Sequence, residues 1–232
     1  MKNKVFFVSC VVMSVFFISG IFAQEVMIIN KTDNTSIRIL TSDIKNITFE
    51  KSNVTSGGST VTDVEGNVYK TIAIGNQVWM AENLKTTKLR DGSPIKNITG
   101  DEEWKALTDP AYCIYDNQAS NKNTYGVLYN WFNVKSNKIC PAGWHVPTFD
   151  EFEVMIKLLG GRPEAGGKLK ETGTGNWFPP NTAATNSTGF TALPGGFRMA
   201  HGPFAGIGKN THFWTSTPYR GYDSYAYKLE YN

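Results

Sequence analysis

The stretch Cys140–Met155, CPAGWHVPTFDEFEVM, sets a cysteine, a histidine, an aspartate and two glutamates within one short segment. Its reading decides the fold. Thr148 is a good helix N-cap and Glu151 stands three residues on. That is the spacing of a capping box, in which side chains and backbone satisfy each other's open groups. Pro147 keeps the entry to the cap extended. Phe149, Phe152, Met155, Ile156 and Leu159 follow on one apolar face, and Gly160 and Gly161 stop the helix. Asp150, Glu151 and Glu153 fall in the first turns, where acids complement the helix dipole. A Cys140–His145 dyad is the catalytic alternative, and it would need a free thiolate and a third, orienting group. The stretch reads as scaffold.

Working outward, Thr124–Val134, TYGVLYNWFNV, places Val127, Leu128, Trp131 and Phe132 at helical spacing and predicts a partner helix. Toward the N-terminus, VYKTIAI lies between the turn sequences DVEGN and GNQ, and VWMAENL follows, a β pattern. DVEGN does not have the spacing of a twelve-residue calcium loop and reads as a tight turn. Beyond the helix, GGRPEAGGK and LPGGF read as turns. A phosphate loop would need Ser or Thr after Lys168, where Leu169 stands. GTGNWFPPNTAATNSTG is loop, and FTALPGGFRM, THFWTST and SYAYKLEY are short strands. The pattern is α+β, without βαβ alternation.

The first residues, MKNKVFFVSCVVMSVFFISGIFA, join a short basic region to an apolar run and a small-residue site. They read as a signal peptide over residues 1–23. Residues 24–50 read as a small β-arm, and 51–60 as a Ser/Gly/Thr linker. The main domain then spans 61–232. No later segment is apolar enough to span a membrane. The chain has 23 basic and 20 acidic residues, and loss of Lys2 and Lys4 leaves the mature protein close to neutral. There is no basic tract, so nucleic acid is not an expected partner. Cys113 and Cys140 remain after signal removal. In an oxidising compartment an even pair is first read as a disulfide, worth about 3–4 kcal/mol by restricting the unfolded chain. A catalytic or metal-binding thiol pair is the alternative. His145, His201 and His212 stand apart, with no metal-ligand spacing, so no metal or cofactor is expected.

Seven segments in order resemble the Fib_succ_major (FISUMP) family of paralogous secreted bacterial domains. They are VTDVEGNVYKTIAIGNQVWMAENLKTT, AYCIYDN, YGVLYNWFNV, CPAGWHVPTFDEFE, GGKLKETGTGNW, ATNSTGFTALPGGFR and FWTST. WHVPTFDEFE is also similar to the RLPTEAEWE element of the formylglycine-generating group. Both resemblances imply a C-type-lectin-like domain with two helices, a small twisted antiparallel sheet and long loops. Family members run on to a last strand of the form GFSVRCV, which this chain lacks, so an open sheet edge is expected. That strand carries a cysteine, which leaves the Cys113–Cys140 pairing open. The calcium-lectin motifs EPN, QPD and WND are absent, so calcium-dependent sugar binding does not carry over.

Fold alone does not give function. Sugar-recognition surfaces combine exposed rings with amides and carboxylates, because apolar sugar faces pack on rings while hydroxyls need polar partners. NWFPPN and PYRGYDSY have that makeup in predicted loops. They nominate Trp177, Asn181, Tyr219 and Tyr222 as binding residues, against the alternative that these rings plug the loop-rich half. Trp79, Trp131, Trp144 and Trp214 lie on predicted elements and are expected in the core. The reading is a secreted or cell-surface, non-catalytic module recognising glycan or protein. A lectin-fold enzyme related to the formylglycine group and an assembly subunit using strand addition are the alternatives.

Overall fold

A computed structural model of the chain describes residues 26–30, 36–40, 59–219 and 223–232. The expected signal peptide, most of the linker, the third arm strand and Tyr222 lie outside the described residues. The chain divides into one unit over residues 1–53 and another over 54–232. In the first, β1 (Val26–Asn30) pairs antiparallel with β2 (Ser36–Leu40), Val26 opposite Leu40.

In the second unit, β3 (Thr60–Thr62), β4 (Val68–Ile74) and β5 (Gln77–Met80) form an antiparallel meander. The turn between β3 and β4 is closed by the Asp63 carboxylate. It accepts from the backbone N–H of Glu65 and Asn67, the Asn67 amide and the Tyr69 hydroxyl. That is the tight turn expected from DVEGN.

A second sheet joins β6 (Lys96–Asn97), β7 (Ala111–Cys113) and β8 (Leu128–Tyr129), with β6 parallel to β7. Helices α1 (Asp101–Lys105), α2 (Ala119–Tyr125) and α3 (Trp131–Lys135) surround it in the chain. Then come α4 (Phe149–Leu158) and α5 (Arg162–Leu169). The last sheet has the order β10-β9-β11-β12, from β9 (Gly195–Arg198), β10 (Phe204–Ile207), β11 (Asn210–Tyr219) and β12 (Asp223–Glu230). The class is α+β. Three small sheets and five helices stand where two helices and one sheet were expected, and β6–β7 and β9–β11 are parallel contacts.

Two helix expectations are corrected. TYGVLYNWFNV is not one helix. Gly126 leaves the helical region at φ 75°, ψ −147°, and a Cβ there would lie 2.6 Å from the Leu84 carbonyl oxygen. The backbone turns out, Leu128 and Tyr129 pair with Cys113 and Tyr112, and Asn130 caps a new helix by accepting from the Asn133 N–H. GGRPEAGGK is not all turn either. Gly160 and Gly161 end α4, but Gly161 also precedes α5, whose first turn Pro163 pre-organises. Gly167 is needed there because a Cβ would lie 2.2 Å from the Ala183 carbonyl oxygen.

The main core gathers Ile74 and Trp79 of the first sheet, Phe152 and Met155 of α4, Leu169 of α5, and Phe190 and Ala192 of the following loop. Tyr227 and Leu229 of β12 pack on its margin. A second cluster holds Ile98, Trp104, Ala111 and Cys113. Beside it the Arg198 guanidinium lies 4.7 Å from the ring centres of both Trp104 and Phe204, and bonds the carbonyls of Gly202, Ile98 and Thr99 and the Asp101 carboxylate. Of the tryptophans expected in the core, Trp79 is buried, whereas Trp131, Trp144 and Trp214 are half-buried.

Candidate functional site

The residues nominated from the sequence separate. Trp177 has no exposed surface, and its indole N–H donates to the Ala192 carbonyl at 2.9 Å. Asn181 is also buried, and its amide donates to the carbonyls of Glu171 and Gly173. These two plug and tie the loop after α5, and no ring face of Trp177 is open to a ligand. This corrects their nomination as binding residues. Tyr219 is different: it is 38% exposed at the end of β11.

Around Tyr219 the structure assembles rings the sequence reading did not select. The Tyr219 ring meets that of Tyr225, also exposed, edge-on at 4.9 Å. Tyr225 lies 4.9 Å from Phe149, Phe149 stacks at 5.5 Å on Tyr227, and Tyr227 stacks at 4.6 Å on buried Phe152. The row therefore runs from solvent to core. It spans β11, β12 and the first turn of α4. Alternation in SYAYKLEY, which puts Tyr225, Tyr227 and Leu229 on one face, was the available signal.

Hydroxyls hold these elements together. Between Trp214 and Pro218 the β11–β12 register shifts. There the buried Thr215 hydroxyl donates to the Tyr225 carbonyl at 2.8 Å, and Ser224 donates to the Thr217 carbonyl at 3.0 Å. The Thr217 hydroxyl accepts from the Phe149 N–H at 2.9 Å, and the Ser216 N–H donates to the Pro147 carbonyl. WTST thus seats the start of α4, and with it Phe149, against β12.

Charge borders the row. The Tyr227 hydroxyl and the Arg162 guanidinium both donate to Glu153 Oε1, and Arg162 lies 5.8 Å above the Tyr227 ring. Tyr227 above all, with Arg162, holds the Glu153 carboxyl below its ordinary value. Burial, and then the bond to Glu153, push the Tyr227 hydroxyl up. Beside this pair an open cleft of about 470 Å³ is lined by Asp150, Glu153, Val154, Lys157 and Arg162, among others. Rings that can stack therefore adjoin both donors and acceptors.

Residues 72–230 match the family described as Fibrobacter succinogenes major domain (Fib_succ_major). The chain belongs to this family. No curated protein and no solved structure matches it.

In this Fib_succ_major domain the expected disulfide is corrected: Cys113 and Cys140 are both free thiols. Cys113 is buried on β7 in the second cluster, opposite Leu128, and Cys140 lies elsewhere, within electrostatic reach of Tyr129 and Arg90. Burial pushes each thiol up to about 11. His145 turns to Glu151, with Nε2 at 3.0 Å from both carboxylate oxygens. Glu151 in turn accepts from the Thr148 N–H, completing the capping box. No group of three metal-ligating side chains occurs among the described residues, and none of their helices is long and apolar enough to cross a membrane.

Proposed function

We propose that this chain is an exported, non-catalytic recognition module of C-type-lectin-like architecture, binding glycan or protein outside the cell or at its surface. The exposed Tyr219–Tyr225 edge of the aromatic row, set beside the Glu153–Arg162 pair, carries the reading. Such rings offer an apolar face at low entropic cost, and the adjoining charges offer directional partners. The formylglycine-group alternative asks for a reactive thiol, while burial keeps Cys113 and Cys140 protonated at neutral pH. It gains nothing from Glu153 as a general acid, since that carboxyl is held below rather than above its ordinary value.

The test is a glycan array probed with residues 24–232, with and without calcium, alongside Tyr219→Ala and Tyr225→Ala. Selective binding weakened roughly tenfold by either substitution is the expected result. Absence of binding by a chain shown to be folded by circular dichroism removes the glycan reading. The assembly alternative has one observation in its favour: among the described residues β11 is the one strand paired with β12, and on the other side the Glu230 carbonyl at its end accepts from Lys170 Nζ. Unpaired strand edges accept added strands.

A further inference from the structure

We infer that the site takes a neutral pyranose sugar, stacked on the exposed Tyr225 ring with its hydroxyls shared between Glu153 and Arg162. This rests on the recognition reading above and narrows it to one ligand class. The first argument is charge. Asp150 and Glu153 face Lys157 and Arg162 around the cleft, two acids against two bases. An anionic ligand that meets Arg162 and Lys157 also meets Asp150 and Glu153, and a cationic ligand meets the reverse. A hydroxyl donates and accepts at once, so vicinal hydroxyls match both members of the pair without an unpaired charge.

The second argument is open valence. Glu153 uses Oε1 for both Tyr227 and Arg162, and Arg162 reaches it through one terminal nitrogen. Both side chains reach solvent, Arg162 at 65% and Glu153 at 38% exposure, so groups beyond those bonds face water that a ligand hydroxyl can replace. Tyr227 and Glu153 fix the pair in place, so little ordering is required when a ligand arrives.

The third argument is shape. Tyr225 and Tyr219 are each more than a third exposed, and Phe149 lies behind Tyr225. A pyranose has an apolar C–H face of about the size of one such ring, and Phe149, which packs on Tyr225, stands one helical turn before Glu153 on α4, so the ring row and the charged pair share one side of that helix. The cleft, about 470 Å³, is a shallow, open groove and not an enclosed pocket. It fits one or two residues within a longer chain.

The experiment is titration of the mature chain with cellohexaose and mannohexaose as neutral probes and with hexagalacturonate as the acidic one. Amide NMR shifts and tyrosine fluorescence report binding. A neutral hexaose is expected to bind, with shifts centred on Phe149, Tyr225 and Arg162. Its affinity should change less than about twofold when NaCl is raised tenfold, because no net charge is paired. Tyr225→Ala should weaken it roughly tenfold. Glu153→Gln and Arg162→Gln, both surface substitutions, should do so independently of any repacking under Tyr225. Binding of hexagalacturonate alone, or with a steep salt dependence, overturns the inference and leaves glycan recognition standing. Neutral-sugar binding indifferent to all three substitutions overturns it as well, because the site is then elsewhere. No binding of any of the sugars by the folded chain overturns both.

Discussion

At the residue scale, His145 and Glu151 set a pH dependence with a defined sign. The bond to Glu151 raises the His145 imidazole above its ordinary 6.5, and the same bond lowers Glu151 below its ordinary 4.5. A raised histidine stabilises fully below 6.5 and loses that contribution as pH rises through its folded value. A lowered glutamate stabilises above 4.5 and loses it as pH falls through its folded value. The pair therefore contributes most between 4.5 and 6.5. His145→Gln is expected to lower the urea midpoint within that window and to leave it nearly unchanged at about pH 8.5, well above an ordinary imidazole. An equal loss at both values would show that the imidazole acts only by packing. The cysteines give a second prediction at this scale. Unfolding a chain of residues 24–232 in excess iodoacetamide without reductant is expected to label both Cys113 and Cys140. A mass without label would mean that they are joined after all.

At the element scale, α4 shows how much a short pattern can specify. Thr148 and Glu151 form the capping box their spacing announced, and Phe152, Met155 and Ile156 are buried as their periodicity required. Thr148→Ala removes one acceptor for an open N–H and is expected to cost about 1 kcal/mol, read as a lower urea midpoint at unchanged slope. No loss would mean that the Thr217 hydroxyl on the Phe149 N–H suffices to hold this end. The failed helix at TYGVLYNWFNV has an equally physical reason. Its apolar spacing is real, but Gly126 lies against the Leu84 carbonyl, and the β7 edge offers Leu128 and Tyr129 backbone partners. Tertiary pairing outweighs a local periodicity of that length. Helix α5 was hidden by Gly166 and Gly167, poor helix formers in isolation, of which Gly167 lets the Ala183 loop approach.

At the scale of the whole molecule, the boundary between the two units falls after Asn53. A chain beginning at Val54 is expected to unfold at the same temperature as one of residues 24–232 in differential scanning calorimetry. A drop of several degrees would assign the N-terminal arm a stabilising role. The aromatic row with its bordering charges belongs to this scale too. It draws on α4, α5, β11 and β12, and beside the register shift between Trp214 and Pro218 the Tyr219 ring meets that of Tyr225 edge-on. Tyr219 was visible in the sequence as an aromatic beside a turn. Its partners were not, because Phe149 is distant in the chain and Tyr225 and Tyr227 had the alternation of an ordinary strand.

Features governed by near neighbours were legible along the chain: the cap and apolar face of α4, the Asp63 turn, the β4–β5 hairpin, the α+β class and the family. Each depends on groups a few residues apart, whose meeting is dictated by helix, strand or turn geometry. Packing across the fold set the rest: which aromatic rings face solvent, and that Cys113 and Cys140 stay apart as free thiols. Trp177 and Tyr219 sit in similar aromatic, turn-rich stretches, yet one fills the space under its loop and the other lies on a strand end. Burial is a property of the whole packed chain, and no local pattern contains it.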